Sequence, residues 1–348
     1  MRLEAAESGT DALRTRPSRL LGSGPVIPAV AHFIWFGPQL PWVHALSIRS
    51  AALRGGFDQV ILHHADDLSG TPVWAELNEL PEFCARRIDA GELLEAVGDG
   101  AGALADIYAK LEAPAARANL LRVAILVGEG GVYLDLDTIT VRRLDALRTQ
   151  HGAFCGEERV IWPAAVKRSQ DLPMRAANLL RAGARELYRV VPGGWRGFRT
   201  IEPLYPAAAN NAVVGAEPGH PFVRRLLNNM LAVPDSRVLV RFALGTHLLQ
   251  DTLAHSREAD LRVLPPRYFY PLGPEISRHW FRVGGSPPPL DQVMSEDTLV
   301  VHWYASVRTK SIVPKIDAAY VRAHADRQLF SALALPLLAE QHGVGRGA

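Results

Sequence analysis

Residues 115–140 limit the possible folds of this chain more than any other stretch. Ala115 to Val127 (AARANLLRVAILV) is rich in strong helix formers, follows Pro114 at a favoured first helical position and stops at Gly128. Gly130-Gly131 then predict a tight turn into Val132-Tyr133-Leu134-Asp135-Leu136-Asp137, an apolar strand ending in two carboxylates. On extended backbone, residues two apart point to the same side. Asp135 and Asp137 so placed repel each other unless a cation or a proton intervenes. A hard divalent ion meets that need, and such ions commonly bridge carboxylates to substrate phosphates. Two solvated acids at an exposed strand end are the alternative, and the spacing alone does not choose between them.

The flanking sequence supplies an α/β context. Ile27 to Gly37 is a short apolar run ended by Gly37-Pro38 and reads as a buried strand. Trp42 to Leu53 has helical spacing and stops at Gly55-Gly56, and Val60 to His64 forms the next strand. This alternation favours a parallel sheet with a nucleotide-binding crevice at its carboxyl ends. Asn210 to Ala216 and Leu299 to Tyr304 read as later strands, Pro221 to Leu231 as a helix, and Ala318 to Leu338 as one long helix kinked at Pro336. The expected organisation is a loose tail over 1–25 and a catalytic domain over 26–315. An acceptor-side insertion or flap interrupts it at about 155–200; a C-terminal helix covers 316–340 and a tail 341–348.

Composition narrows the class. With 348 residues, 48% hydrophobic and 21% charged, the chain has ample material for a core. Lys+Arg 38 against Asp+Glu 36 leaves +2 with no dense basic block, so nucleic acid is not an expected partner. No apolar run is long enough for a spanning helix, the N-terminus has no apolar signal core, and Cys84 and Cys155 alone make no disulfide framework. A cytoplasmic enzyme is the expectation. There is no P-loop, zincin, nucleophile-elbow or paired C-x-x-C motif. Asp135-Leu136-Asp137-Thr138-Ile139 also matches the first motif of haloacid-dehalogenase-type phosphatases, but it has Ile139 at the fifth position, comes late and lacks a downstream acidic partner.

The order Asn119, Arg122, Gly130-Gly131, Tyr133, Asp135, Asp137 resembles the DXD region of glycosyltransferase family 32 and its relatives, including the glucosylating clostridial toxins. There the pattern runs S-D-x-x-R, an aliphatic helix, then G-G-x-Y-x-D-x-D. Ile27-Pro28 through His32, Trp35 and Gly37 is similar to that family's I-P-x-x-x-H-x-x-W-x-G, and Asn211-Ala212, Gly219-His220-Pro221 and His302-Trp303 are similar to its C-terminal landmarks. The resemblance implies a GT-A-type α/β fold with a Rossmann-like mixed sheet, and a retaining hexosyltransferase using a UDP- or GDP-sugar with Mn²⁺ or Mg²⁺.

It further implies Asp135, Asp137 and His302 as metal ligands, with Asp135, Asp137 and Arg122 catalytic. Trp35, Phe36, Asn119, Tyr133, Asn211, Trp303, Arg308 and Lys310 would surround the donor. Trp35 is suited to base stacking or to the core; Arg122 to a sugar hydroxyl, a phosphate or a carboxylate; His302 to the metal or to a strand end. Choice of base would lie near His63, His64 and Asp66. The acceptor, whether glycan, protein, lipid-linked or small molecule, would lie against 159–199 and Ser286-Pro287-Pro288-Pro289. Asn119 departs from the family's Asp: it is uncharged and donates as well as accepts. That leaves a non-catalytic sugar-nucleotide binder as the rival reading.

Overall fold

Short β-rich segments interleaved with helices build a mixed sheet whose central strand leads into the two carboxylates. The computed structural model describes residues 26–161, 171–240, 243–285, 288–307 and 309–339. The two expected tails, Ser286-Pro287 and Arg308 lie outside the described residues, as do 162–170 of the expected flap. The strands are β1 (Val30–Trp35), β2 (Gln59–His64), β3 (Phe83–Arg87), β4 (Gly131–Leu134), β5 (Thr138–Thr140), β6 (Ala153–Arg159), β7 (Ala207–Ala216), β8 (Leu261–Leu264) and β9 (Val300–His302). Seven of them form a sheet in the order β3-β2-β1-β4-β7-β6-β8, and β5 pairs with β9 apart from it. β3, β2, β1 and β4 run parallel, as the alternation predicts. β7 is antiparallel to both β4 and β6. The result is a mixed α/β sheet with helices on both faces.

Alternate side chains of the central strands feed two cores. Phe33, Val132, Leu134 and Val213 pack on one face, beneath the helix Trp42–Arg54. Ile34, Tyr133 and Val214 pack on the other, against the helix Pro114–Gly128. Every residue of that helix from Leu120 to Val127 is buried, which is why its sequence is apolar all round instead of striped. A third core gathers around Trp280, Trp303 and Phe330 under the helix Leu329–Ala339.

Two expectations are corrected. The strand carrying the carboxylates ends at Leu134, and Asp135 to Asp137 form a turn, so strand alternation does not bring the acids together. Hydrogen bonds fix the turn: Thr138 Oγ1 donates to the Asp135 carbonyl at 2.8 Å, while Ser47 Oγ and His44 Nδ1 donate to that of Leu136 at 2.6 and 2.8 Å. The C-terminal segment is two helices, Ala318–His324 and Leu329–Ala339, and Pro336 sits inside the second. The break is held by tertiary bonds, Gly284 N–H to the Arg327 carbonyl at 2.7 Å and Gln328 Nε2 to the Phe281 carbonyl at 3.0 Å. Cys155 is buried and Cys84 half-buried, both as free thiols.

Gly130 and Gly131 adopt φ of +69° and +94°, where side chains are strained. A Cβ on Gly131 would also stand 2.7 Å from the Val30 carbonyl and 2.9 Å from His32 Nε2. His32 Nε2 lies 3.0 Å from the Gly130 carbonyl. A carbonyl only accepts, so Nε2 carries the proton, and Nδ1 accepts from His63 Nε2 at 3.1 Å. The first strand is thereby tied to the turn that launches Asp135. Burial, reinforced by the charge of Arg86 against the Gly130 hydrogen bond, lowers His32 to about 4. Burial and the neighbouring His32, Arg86 and His64 lower His63 to about 2.

Two outcomes are expected. Gly131→Ala should cost about 2–4 kcal/mol in urea unfolding, through φ strain and the close carbonyl. Because the unfolded chain takes up protons on His32 and His63 first, the stability their neutral pairing permits is complete above about pH 6.5 and falls below it. The thermal midpoint should therefore decline from about pH 6.5 towards pH 4. His63→Gln, whose amide still donates to His32 Nδ1, should flatten that decline.

Candidate active site

A cavity of about 600 Å³ opens at the carboxyl end of β1 and β4, with Asp135 and Asp137 in its wall. Three networks place the acids. Arg122, buried on the helix Pro114–Gly128, donates Nη2 to Asp135 Oδ1 at 2.9 Å and lies 4.0 Å above the Tyr133 ring. Tyr133 OH donates to the same oxygen at 2.9 Å, and Arg122 Nη1 donates to the Asn211 carbonyl. The Asp135 backbone is fastened to β7 by its N–H to the Ala212 carbonyl at 2.8 Å.

Asp137 depends on a different part of the chain. β9 pairs antiparallel with β5, and the register sets His302 opposite Thr138. His302 Nε2 comes 3.0 Å from Asp137 Oδ1, and the Ala305 N–H donates to Asp137 Oδ2 at 2.8 Å. Burial alone would raise the Asp137 carboxyl, but the attraction and hydrogen bond of His302 and the Ala305 N–H bring it down to about 2. Burial opposes charging of His302, and Asp137 first, then Asp135 and Glu158, outweigh it to raise the imidazole. Oxygen and nitrogen atoms of Asp135, Asp137 and His302 lie within 4.8 Å of one another. Two carboxylates and an imidazole suit a hard or borderline divalent cation. His302 Nδ1, buried without a hydrogen-bond partner, fits a site completed by a further group.

A strained turn supports this pair. Tyr304 has φ +60°, the only positive value on a non-glycine among the described residues. Its hydroxyl donates to buried Glu158 Oε2 at 2.8 Å, and Asn210 Nδ2 donates to the same oxygen at 2.6 Å. Burial raises the Glu158 carboxyl in spite of both bonds. The ring of Tyr304 lies 4.0 Å from that of His302, and the turn aims the next N–H at Asp137. Glu158 thus locks the backbone geometry behind the acids, a role no local motif announces.

The other expected residues divide. Trp35, Phe36, Asn119, Tyr133 and Asn211 all line the cavity, with Arg122, Asp135 and Asp137. Asn211 Nδ2 donates to Asn119 Oδ1 at 3.0 Å, leaving the Asn119 amide hydrogens for a ligand. Trp303 does not reach the cavity; it is fully buried between His44, Phe281 and Phe330. Lys310 is exposed and outside the lining. His63 is spent on His32, while His64 Nδ1 bonds the Asp66 carbonyl and the Asp66 carboxylate caps the Gly37 N–H. None of the described residues of 159–199 lines the cavity; the outer wall comes from 113–118, 238–240 and 244–246.

Sequence reading missed His44, Thr246 and this apolar wall. His44 sits in the first turn of its helix with Nδ1 committed to Leu136, and burial, ahead of the Leu136 bond and Asp137, lowers its pKa. Thr246 Oγ1 and Trp35 Nε1 are buried without protein partners beside the cavity. Gly245 brings that wall close: a Cβ there would stand 2.9 Å from Asn119 Nδ2. A glycine followed by threonine at a helix start was the available signal.

Replacing Glu158 by Leu should leave Asn210 Nδ2 and Tyr304 OH buried without an acceptor and cost about 2–4 kcal/mol in urea unfolding. Tyr304→Phe, which removes one of the two donors and keeps the ring, should cost about 1–2 kcal/mol.

Residues 58–153 match the family described as "Glycosyltransferase sugar-binding region containing DXD motif". No curated protein matches the sequence significantly. Among solved structures, the PaToxG glycosyltransferase is similar at 14% identity over 67% of this chain and 71% of that one, with a TM-score of 0.42. Mouse xyloside xylosyltransferase 1 in its apo form is 13% identical over 78% and 96%, also at 0.42. The UDP-bound glycosyltransferase domain from the YGT toxin is 12% identical over 88% and 81%, at 0.33. The family match covers the helix, the glycine turn and both acids of the site.

Proposed function

We propose that this protein is a metal-dependent, retaining glycosyltransferase that moves a sugar from a UDP- or GDP-linked donor to an acceptor. The observation that carries the reading is the convergence of Asp135 and Asp137, both inside the DXD family region, with His302 at a cavity lined by Trp35, Asn119 and Asn211.

Asp135, Asp137 and His302 would hold Mn²⁺ or Mg²⁺, which supplies positive charge against a departing diphosphate. Arg122 acts through Asp135: its guanidinium is committed to that carboxylate and so fixes the direction in which the acid points. The Trp35 indole offers a face for a nucleobase, and the Asn119 amide and Thr246 hydroxyl offer hydrogen bonds to sugar hydroxyls. Among the described lining residues, Asp135 and Asp137 are the only carboxylates; Arg122 already holds Asp135, and the His302 imidazole stands 3.0 Å from Asp137. A dedicated general base is therefore lacking, which suits transfer in which the leaving phosphate assists the incoming hydroxyl. Neutral Asn119 in place of an acid shifts donor preference without removing a metal ligand.

Thermal shift against UDP- and GDP-sugars with and without Mn²⁺, followed by nucleoside diphosphate release, tests this. A metal-dependent stabilisation with one nucleotide class and slow release are expected, and the anomer of any product, read by NMR, should match that of the donor. Stabilisation without release would favour the binder. Asp137→Asn should abolish release while leaving the unfolding midpoint near that of the parent, and His302→Ala should weaken Mn²⁺ binding at least about tenfold. Unchanged metal dependence in both variants would sink the metal assignment.

A further inference from the structure

The helix Leu172–Val190 is mounted inside out. Leu172, Leu179, Leu180, Leu187 and Val190 recur at helical spacing on one face, and that face points to solvent: Leu172 is 74% exposed, Leu180 76% and Leu187 58%. The face turned to the protein is polar. Asn178 and Arg189 are its buried members. Arg185 and Arg189 reach Glu275 Oε2 at 3.2 and 3.0 Å, and Arg189 Nε donates to the Glu275 carbonyl. His279 Nε2 donates to the Tyr188 carbonyl at 2.8 Å. By contrast, the comparably amphipathic helix Pro221–Leu231 buries Phe222, Val223, Leu226, Leu227 and Met230. Val191 and Leu204 extend the exposed apolar surface beyond the helix. A patch of this kind marks an interaction surface.

Its border is cationic. Arg175, Arg196 and Arg278 are exposed around it, while Glu186 is occupied by Arg185 and Arg189, and Asp171 also has a partner. Of the four arginines within 171–190, Arg185 and Arg189 pair with Glu186 and Glu275, which leaves Arg175 and Arg181 against Asp171. A second copy docked face to face would bring like charges together. An anionic lipid surface instead takes the leucines into its acyl boundary and the guanidiniums at its headgroups. Among the described residues no helix is long and apolar enough to cross a membrane, so the contact lies in the interface. We propose that this helix face docks the protein on anionic membrane surfaces. The proposal stands on the helix alone and does not depend on the transferase reading.

Co-sedimentation of the full chain with vesicles tests it, comparing phosphatidylcholine mixed with phosphatidylglycerol against phosphatidylcholine alone. Binding to the mixed vesicles, weakened by salt, is expected, with little on the neutral ones. Leu180→Glu with Leu187→Glu should reduce partition about tenfold or more, with circular dichroism and unfolding midpoint unchanged because both side chains are exposed. Arg175→Gln with Arg196→Gln should weaken binding and flatten its salt dependence. Failure of the parent to sediment, or equal binding by the double glutamate variant, overturns the proposal. So does dimerisation of the parent in sedimentation velocity that the glutamates abolish, since a second copy would then be the occupant.

Discussion

Two carboxylates held in one turn at the end of a buried strand repel each other, and most of the architecture near the cavity compensates that charge. Arg122 neutralises Asp135 from a helix on one face of the sheet, and His302 answers Asp137 from a strand at the far end of the sequence. Each compensating group is itself buried, so its own desolvation is recovered only because the partner is fixed. Removing either partner would strand an acid in a poorly solvated wall. The same arrangement leaves donor atoms of three residues close together, which is the electrostatic setting a divalent cation requires.

Backbone conformations that few residues tolerate supply the rigidity. Gly130 and Gly131 turn the chain into β4 where a side chain would meet the first strand, and the His32–His63 pair holds that turn from below. Behind the acids, Tyr304 is held in a left-handed conformation by a hydrogen bond to buried Glu158. Strain of this kind persists only where surrounding contacts over-determine it, and here those contacts join β6, β7 and the turn after β9.

The outer surfaces follow a different logic. The cavity's far wall is largely apolar and comes from 113–118, 238–240 and 244–246, while the segment expected to supply acceptor contacts instead projects an outward apolar helix. The Arg185 and Arg189 pairs with Glu275 explain this inversion. They tie the polar face down, so the leucines are left outside.

Local chemistry made much of the site legible. Helix formers ending at glycine, a Gly-Gly turn and an apolar run closing on two acids are decided by neighbours in the chain, and the helix bounds near Trp42–Arg54, Pro114–Gly128 and Pro221–Leu231 follow from them. The convergence of Asp135 with Asp137 was foreseen, but for the wrong reason: a hydrogen-bonded turn, not strand alternation, brings them together. The single C-terminal helix was misjudged because bonds from Gly284 and Gln328 overrode local propensity. By itself the sequence determined the helix, the glycine turn and the paired acids, since those rest on interactions a few residues long. Only tertiary structure decided that Arg122 serves Asp135, that Trp303 belongs to the core and that Glu158 braces the site. Those outcomes depend on burial and on β5–β9 and β6–β7 pairings between distant segments, which no local pattern encodes.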